Sequence, residues 1–275
     1  MASDLNIARH GPQDGPPILL IHGAWHGAWC WDGLAPLLAA AGFRVLAPDL
    51  RGHGESPGRK HLRWTGIRQH VRDISALITG LDQPPIVIAH SMGGFIAQHL
   101  MARGVPMRGV AMLAALPHTG ALPIALKTLW HHPRTFARIL TRLSLYPMVA
   151  DPADAARLFL DPATPAPEAN RFHAKLQDES FRAFLDMVAL ALPGKPARPY
   201  PALVLAGADD ALFPPKAEQR LARRLATTAQ VLPGAPHDLM LSPHTETTAR
   251  HILDWAATLP PGAKPPATAQ TAPQT

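Results

Sequence analysis

A serine in the middle of the chain stands between an apolar run and a helical pattern. The run 84–89 leads to Ser91, and a helical pattern covers 95–101. The small residues Ala89 and Gly93 let neighbouring backbone pass close to this turn. A serine on a sharp strand-to-helix turn projects its hydroxyl above a sheet, beside the N–H groups that begin the helix. The pattern favours a nucleophile over a tight turn that merely contains serine.

A serine hydroxyl is a weak nucleophile, so it needs a base and a group that orients the base. In a triad carried by successive strands, the acid and then the histidine follow later strands. The run 203–206 is followed by Asp209 and Asp210, and the run 230–232 is followed by His237. Order and position therefore predict His237 as the base and leave Asp209 and Asp210 as candidate acids.

Negative charge that develops on a substrate oxygen would need two N–H donors. The Met92 N–H, directly after the serine, is the first candidate. The second is the Ala24 N–H in the loop after the run 18–21, where Gly23 permits the turn. Trp25 in the same loop is a candidate for contact with substrate. These residues predict an oxyanion hole.

A metal site is the alternative interpretation of the same loop, because His22 and His26 are four residues apart. The loop is rich in glycine rather than helical. It has no glutamate as in His-Glu-x-x-His, and no cysteine cluster supports zinc. We expect neither a metal nor another cofactor.

The elements that must position these residues alternate between strands and helices. Such alternation predicts an α/β fold with a mostly parallel sheet, right-handed crossovers and helices on both faces. Chemistry in these sheets collects beyond the carboxyl ends of the strands. The predicted strands are 5–9, 18–21, 43–47, 84–89, 110–114, 202–206 and 230–232, and the predicted helices are 31–41, 65–79, 95–101, 215–226 and 243–259.

The segment 117–200 interrupts this alternation. It is punctuated by proline and mostly helical in pattern, and it is too long for a simple loop. We expect a helical cap inserted into a core formed by 1–116 and 201–259. We expect 260–275, rich in Pro, Ala, Thr and Gln, to be a disordered tail. The cap is expected to supply much of an apolar pocket, although half or more of its aromatic residues would only pack it onto the sheet: Trp130, Phe136, Phe159, Phe172, Phe181 and Phe184.

The composition is that of a globular protein. The chain has 275 residues, 47% of them hydrophobic, a net charge of +6 and a single cysteine, Cys30. The basic residues are scattered and no nucleic-acid motif is present, so we expect no nucleic-acid partner. We expect no membrane span and no secretory signal, because no apolar run is long enough and no basic segment precedes one. The lone cysteine suits a cytoplasmic location, and the oligomeric state stays open.

With these residues in hand, the chain resembles the α/β-hydrolase fold family from about Ile18 to Ala257. The resemblance implies a serine triad, and its motif spacing assigns the acid to Asp210 rather than Asp209. Alanine at 89, where glycine is commonest, is a minor departure. The matching motifs are His22 to Trp29, Asp49 to Ser56, Ala89 to Gly94, Gly207 to Pro214 and His237 to Met240.

The first motif also resembles the plant methylesterase and hydroxynitrile lyase branch. The lyases carry threonine where Gly23 stands and lysine where Asp238 stands, which favours ester hydrolysis here. Haloalkane dehalogenases carry aspartate where Ser91 stands, so the serine argues against dehalogenase chemistry. The resemblance implies a cofactor-free esterase for a small molecule with an apolar acyl or alcohol part. The alternatives are amide, thioester or carbon–carbon bond hydrolysis, a lyase, and a ligand-binding member without catalysis.

Overall fold

The computed structural model describes residues 4–241 and 243–260. A seven-stranded sheet forms the centre of this part of the chain, in the order β1-β3-β2-β4-β5-β6-β7. β1 is antiparallel to β3, and every other neighbouring pair is parallel. The predicted mostly parallel α/β fold is confirmed. The strands are β1 Ile7–His10, β2 Pro17–Ile21, β3 Arg44–Pro48, β4 Ile86–His90, β5 Gly109–Leu113, β6 Ala202–Gly207 and β7 Ala229–Leu232.

The apolar runs of the sequence occupy the middle of the sheet. Every residue of β2, β4 and β5 is buried. Alternate residues of these strands enter two apolar clusters: Leu19 belongs to one, whereas Ile18 and Leu20 belong to the other. Helices cover both faces, which explains why these strands are apolar throughout rather than alternating.

The helices of the described residues flank the sheet or fill the segment 117–200. No helix in the described residues combines the length and apolar character that a bilayer crossing needs. The helices are α1 Leu34–Ala40, α2 Ile67–Thr79, α3 Met92–Ala102, α4 Leu122–His131, α5 Pro133–Arg142, α6 Pro152–Phe159, α7 Ala166–Lys175, α8 Phe181–Leu185, α9 Pro215–Arg224 and α10 Thr245–Ala257.

The predicted helix 31–41 is wrong in its first part. The structure has a 3-10 turn at Ala28–Trp31 and begins α1 at Leu34. Gly33 lies between the two, and glycine is a weak helix former. The start of β4 also differs: it lies at Ile86, because the preceding prolines have no N–H group for the sheet.

The segment 117–200 connects β5 to β6, which are neighbours in the sheet. It contains α4 to α8 and a π-helical turn at Asp186–Leu190. Its residue 177 donates a backbone hydrogen bond to the Trp25 carbonyl, with an N···O distance of 3.0 Å. Contacts of this kind hold the segment against the loops that follow β2 and β3. The predicted tail lies outside the described residues, apart from Pro260, which belongs to no element.

Candidate active site

Ser91 lies between β4 and α3 in a strained backbone conformation. Its φ is 52° and its ψ −117°, values that non-glycine residues rarely adopt. Close backbone packing holds the turn: a Cβ on Gly93 would lie 2.3 Å from the Ile21 carbonyl oxygen. The Ser91 N–H donates to the Leu113 carbonyl at 3.2 Å, which ties the turn to β5. The surrounding sheet therefore fixes the position of the Ser91 backbone that carries the hydroxyl.

His237 and Asp210 form a buried pair beyond β6 and β7. The His237 Nδ1 lies 2.9 Å from Asp210 Oδ2. The other oxygen, Asp210 Oδ1, accepts the N–H groups of Leu212 at 2.7 Å and Phe213 at 2.8 Å. These bonds fix the carboxylate toward the imidazole. Asp209 is exposed, so of the two candidate acids only Asp210 contacts His237.

The hydrogen bond to Asp210 assigns the proton of the neutral imidazole to Nδ1. The other nitrogen, His237 Nε2, is buried and has no hydrogen-bond partner among the described residues. It is therefore free to accept a proton. No hydrogen bond joins it to Ser91 Oγ in the described structure, a contact that often forms only when substrate is bound. Burial alone would lower the pKa of His237, but the carboxylates of Asp210 and Asp238 outweigh it and raise that pKa.

Two backbone amides beside Ser91 have no acceptor. Neither the Ala24 N–H nor the Met92 N–H makes a hydrogen bond in the described part of the chain. Both residues line one apolar cavity of about 60 Å³, together with Ser91 and Trp25. Free donors beside a serine are what an oxyanion hole requires. The remaining lining residues are Leu116, Ala121, Ile124, Leu145, Met148, Phe184, Met187, Leu212 and Phe213.

Gly23 serves the loop in a different way from the one expected. The positive φ of this turn, 64°, belongs to Trp25 and not to the glycine. A Cβ on Gly23 would lie only 2.9 Å from Ser91 Cβ and 2.9 Å from His90 Nδ1. The glycine therefore provides space for the serine turn.

These observations agree with what the comparisons show. The sequence model that describes the alpha/beta hydrolase family matches residues 18–250 of the chain. The chain belongs to the alpha/beta hydrolase family. The resemblance inferred from the motifs is thereby confirmed.

Relatives within the family match part of the chain. A pyrethroid hydrolase of Sphingobium wenxiniae is 38% identical over 86 residues, 30% of each chain. Methylesterase 3 of Arabidopsis thaliana is 38% identical over 79 residues, 28% of this chain and 30% of its own. The chain thus matches only about a third of the length of these curated relatives.

Solved structures match over nearly the whole length. A bromoperoxidase from Bacillus anthracis has a TM-score of 0.70 at 18% identity and covers 92% of this chain and 95% of its own. At that identity the likeness shows the shared fold alone.

The inserted segment lines part of the cavity, and most of its six named aromatic residues do not, as expected for at least half of them. Of the six, only Phe184 lines the cavity. Trp130 is 83% exposed on the outer side of α4. The Phe159 ring packs instead at a tilt against the rings of Trp25 and His237, with centroids 5.8 and 5.9 Å away. Aliphatic side chains provide most of the lining, and aromatic identity alone gave no sign of which rings face inward.

The sequence interpretation of this family member missed a carboxylate, Glu179, in the inserted segment. Its Oε2 lies 2.9 Å from His53 Nε2 and accepts the Trp25 N–H at 3.4 Å. His53 Nδ1 donates to the Arg51 carbonyl at 3.2 Å, so both ring nitrogens face acceptors. Burial would lower the pKa of His53, but Glu179 raises it, and His53 in turn lowers the pKa of Glu179. A buried ion pair therefore joins the inserted segment to the loops of the core.

Asp238 is a second missed residue, noticed in the sequence only as a departure from the lyases. It is completely buried, and its Oδ2 lies 3.0 Å from His26 Nε2. The His26 Nδ1 donates to the Ala24 carbonyl at 2.6 Å. Although burial favours the neutral acid, His26 holds the pKa of the Asp238 carboxyl below its usual range. The His237 loop is thus connected to the loop that carries the Ala24 amide.

The histidines considered as metal ligands are engaged in hydrogen bonds. His22 donates from Nδ1 to the Gly23 carbonyl at 2.8 Å and accepts the Leu50 N–H at Nε2, at 2.9 Å. Burial lowers the pKa of His22 well below its ordinary value, so it stays neutral. His26 has both nitrogens occupied as described above. Among the described residues, one group brings three candidate ligand atoms within 4.8 Å of one another: His90, His237 and Asp238.

Proposed function

We propose that the protein is a cofactor-free serine hydrolase that cleaves a small to medium carboxylic ester. The observation that carries the proposal is the His237 ring, held by Asp210 at Nδ1 and free at Nε2. A histidine arranged in this way accepts a proton at one nitrogen while its cationic form is stabilised at the other. The strained Ser91 turn and the free Ala24 and Met92 amides supply the nucleophile and the oxyanion donors.

The proposed reaction has two halves. Ser91 Oγ attacks the ester carbonyl as His237 Nε2 takes its proton, and the Ala24 and Met92 N–H groups stabilise the tetrahedral oxyanion. The intermediate collapses to an acyl-serine, and His237 gives the proton to the departing alcohol. Water, deprotonated by His237, then attacks the acyl-serine, releases the acid and restores Ser91.

The substrate class rests on the cavity and on the relatives. The cavity walls are almost entirely apolar, which supports an apolar acyl or alcohol part. The cavity volume of about 60 Å³ has room for about four to six water-sized groups. This small volume favours a substrate whose group inside the cavity is short. The matched relatives are named a pyrethroid hydrolase and a methylesterase, which supports hydrolysis and, for the second, an ester. We propose the cytoplasm as its location, with residues 117–200 acting as a cap.

A panel of nitrophenyl esters of graded acyl length, with a matched nitroanilide and thioester, tests this proposal. We expect turnover of the short esters, little of the anilide, and a loss of at least about a thousandfold in Ser91→Ala. The half-exposed Ser75 of α2 provides a control, because Ser75→Ala should keep the activity. Turnover by Ser91→Ala at the wild-type rate would contradict the nucleophile. Faster turnover of the anilide or the thioester than of the esters would contradict ester specificity and indicate an amide or thioester hydrolase.

A further inference from the structure

Helix α4 presents most of its large apolar side chains to solvent, although Ile124 faces the cavity. Ala125 and Thr128 are buried. On the outer side the exposed fractions are 45% for Leu122, 55% for Leu126, 44% for Leu129 and 83% for Trp130. A helix that only packs onto a core has the opposite arrangement. The outer face of α4 is therefore available to something apolar.

Neighbouring elements extend this face. Three more leucines are exposed: Leu140 on α5 by 45%, Leu190 at the end of the π-helical turn by 59%, and Leu192 just after it by 45%. Leu192 lies beside the start of α4, where its Cδ2 is 2.8 Å from the position of a Cβ on Gly120. Two large exposed hydrophobic residues elsewhere in the described structure are Trp64 and Val231. We call the seven residues the apolar patch: Leu122, Leu126, Leu129, Trp130, Leu140, Leu190 and Leu192.

The stretch that carries α4 and α5 has only positively charged side chains. The stretch 121–150 contains one lysine and three arginines and no aspartate or glutamate. All four basic side chains are exposed, and none forms an ion pair among the described residues. They are Lys127, Arg134, Arg138 and Arg142. Their charge is therefore free to attract an anionic surface.

We infer that the apolar patch and its basic border bind an anionic lipid surface, with α4 and α5 lying in the headgroup region. Leucine and tryptophan on one side of a helix, bordered by lysine and arginine, suit the boundary between headgroups and acyl chains. Tryptophan favours this boundary in particular, and Trp130 is the most exposed residue of the patch. A second copy of the chain fits less well, because a symmetric contact would bring the same basic helices together.

The same helix separates the lipid surface from the cavity. Ala121, directly before α4, and Ile124 within it line the cavity beside Ser91. Binding through the outer side of α4 would thus place a cavity wall at the lipid surface. The inference does not depend on the proposed hydrolysis, because it rests on the outer face of the helix alone.

Sedimentation with lipid vesicles tests the inference. The full chain carrying Ser91→Ala is mixed with phosphatidylcholine vesicles, with or without phosphatidylglycerol, so that no hydrolysis alters the lipid. We expect binding only to the anionic vesicles, weakened by salt. Trp130→Ala with Leu126→Ser, and separately Arg134→Glu with Arg138→Glu, should each weaken binding at least about tenfold.

Matched controls replace exposed residues away from the patch. Trp64→Ala removes another exposed tryptophan, and Arg9→Glu with Arg250→Glu makes the same charge change on β1 and α10. Both controls should bind as Ser91→Ala alone does. Loss of vesicle binding by the controls to the same extent would overturn the inference. Failure to bind anionic vesicles would also overturn it, as would a dimer in ultracentrifugation that Trp130→Ala dissociates without any vesicle binding.

Discussion

At the scale of single residues, two buried carboxylates act on His237 in different ways. Asp210 accepts a hydrogen bond from His237 Nδ1 directly. Asp238 accepts one from His26 Nε2 instead, and its Oδ1 lies 3.4 Å from His90 Nε2. His90 in turn donates to the His237 carbonyl at 3.2 Å. Asp210 thus orients the proposed base, and Asp238 acts on it through its charge and through the loops it connects.

We predict that Asp210→Asn lowers kcat by about 10³–10⁴-fold, because an amide would favour the wrong tautomer of His237. The matched control is Asp209→Asn, one residue earlier and exposed, which should change kcat less than about threefold. Steady-state kinetics on the preferred nitrophenyl ester measures both. The opposite ranking would assign the acid to Asp209.

The pH dependence follows from the raised pKa of His237. A base must be deprotonated, so kcat/KM should rise with pH and reach half its maximum above the ordinary histidine value of 6.5. Asp238 contributes to the raised pKa, and Asp238→Asn should therefore move the acid limb of the profile to lower pH.

Glu218→Gln is the control for that shift. Burial raises the pKa of the Glu218 carboxyl well above its ordinary value, and Glu218 is not among the groups that shift the pKa of His237. The acid limb of the Glu218→Gln pH profile should therefore coincide with that of the wild type. An unshifted limb in Asp238→Asn, or an equal shift in Glu218→Gln, would show that the charge of Asp238 does not act on His237.

At the scale of elements, the Glu179–His53 pair connects the inserted segment to the core. Breaking a buried pair on one side leaves the other group unpaired, so we predict that Glu179→Gln lowers the free energy of unfolding by about 2–4 kcal/mol. The exposed Glu168 of α7 is the control, and Glu168→Gln should change it by less than about 0.5 kcal/mol. Urea unfolding gives both values.

The effect of Glu179→Gln should depend on pH with a definite sign. The raised pKa of His53 gives stability that is present below 6.5 and lost as pH rises through the raised value. The lowered pKa of Glu179 gives stability that is present above 4.5 and lost as pH falls through the lowered value. The difference between wild type and Glu179→Gln should be largest between these limits. A difference that grows in alkaline solution would contradict the ion pair.

Local patterns explain which elements could be predicted. The buried strands and the helix after Ser91 follow from continuous apolar runs and from periodicity, and both signals are local. The preference for Asp210 came from the motif spacing of the family, because local pattern cannot tell which of two adjacent carboxylates faces a histidine. Glu179 could not be found in this way, since its partner His53 is 126 residues away. Whether Ser91, Asp210 and His237 perform chemistry stays a prediction.

At the scale of the whole molecule, the topology brings distant parts of the chain to one edge of the sheet. β4, β5, β6 and β7 are consecutive neighbours, and Ser91, Asp210 and His237 follow three of them. The inserted segment leaves from the carboxyl end of β5, and its Glu179 contacts His53 and Trp25, so it lies beside the same edge. The alternation of strands and helices predicted this arrangement. It could not predict the outward face of α4, because an apolar helix pattern does not show which side is covered.

The most direct test of the account is covalent labelling of the nucleophile. The wild-type protein is treated with a fluorophosphonate, and intact mass followed by peptide mapping locates the adduct. We predict one adduct per chain, on Ser91, formed faster as His237 loses its proton and absent in Ser91→Ala. An adduct on another residue, or ester hydrolysis by a wild-type protein that does not label, would contradict the account.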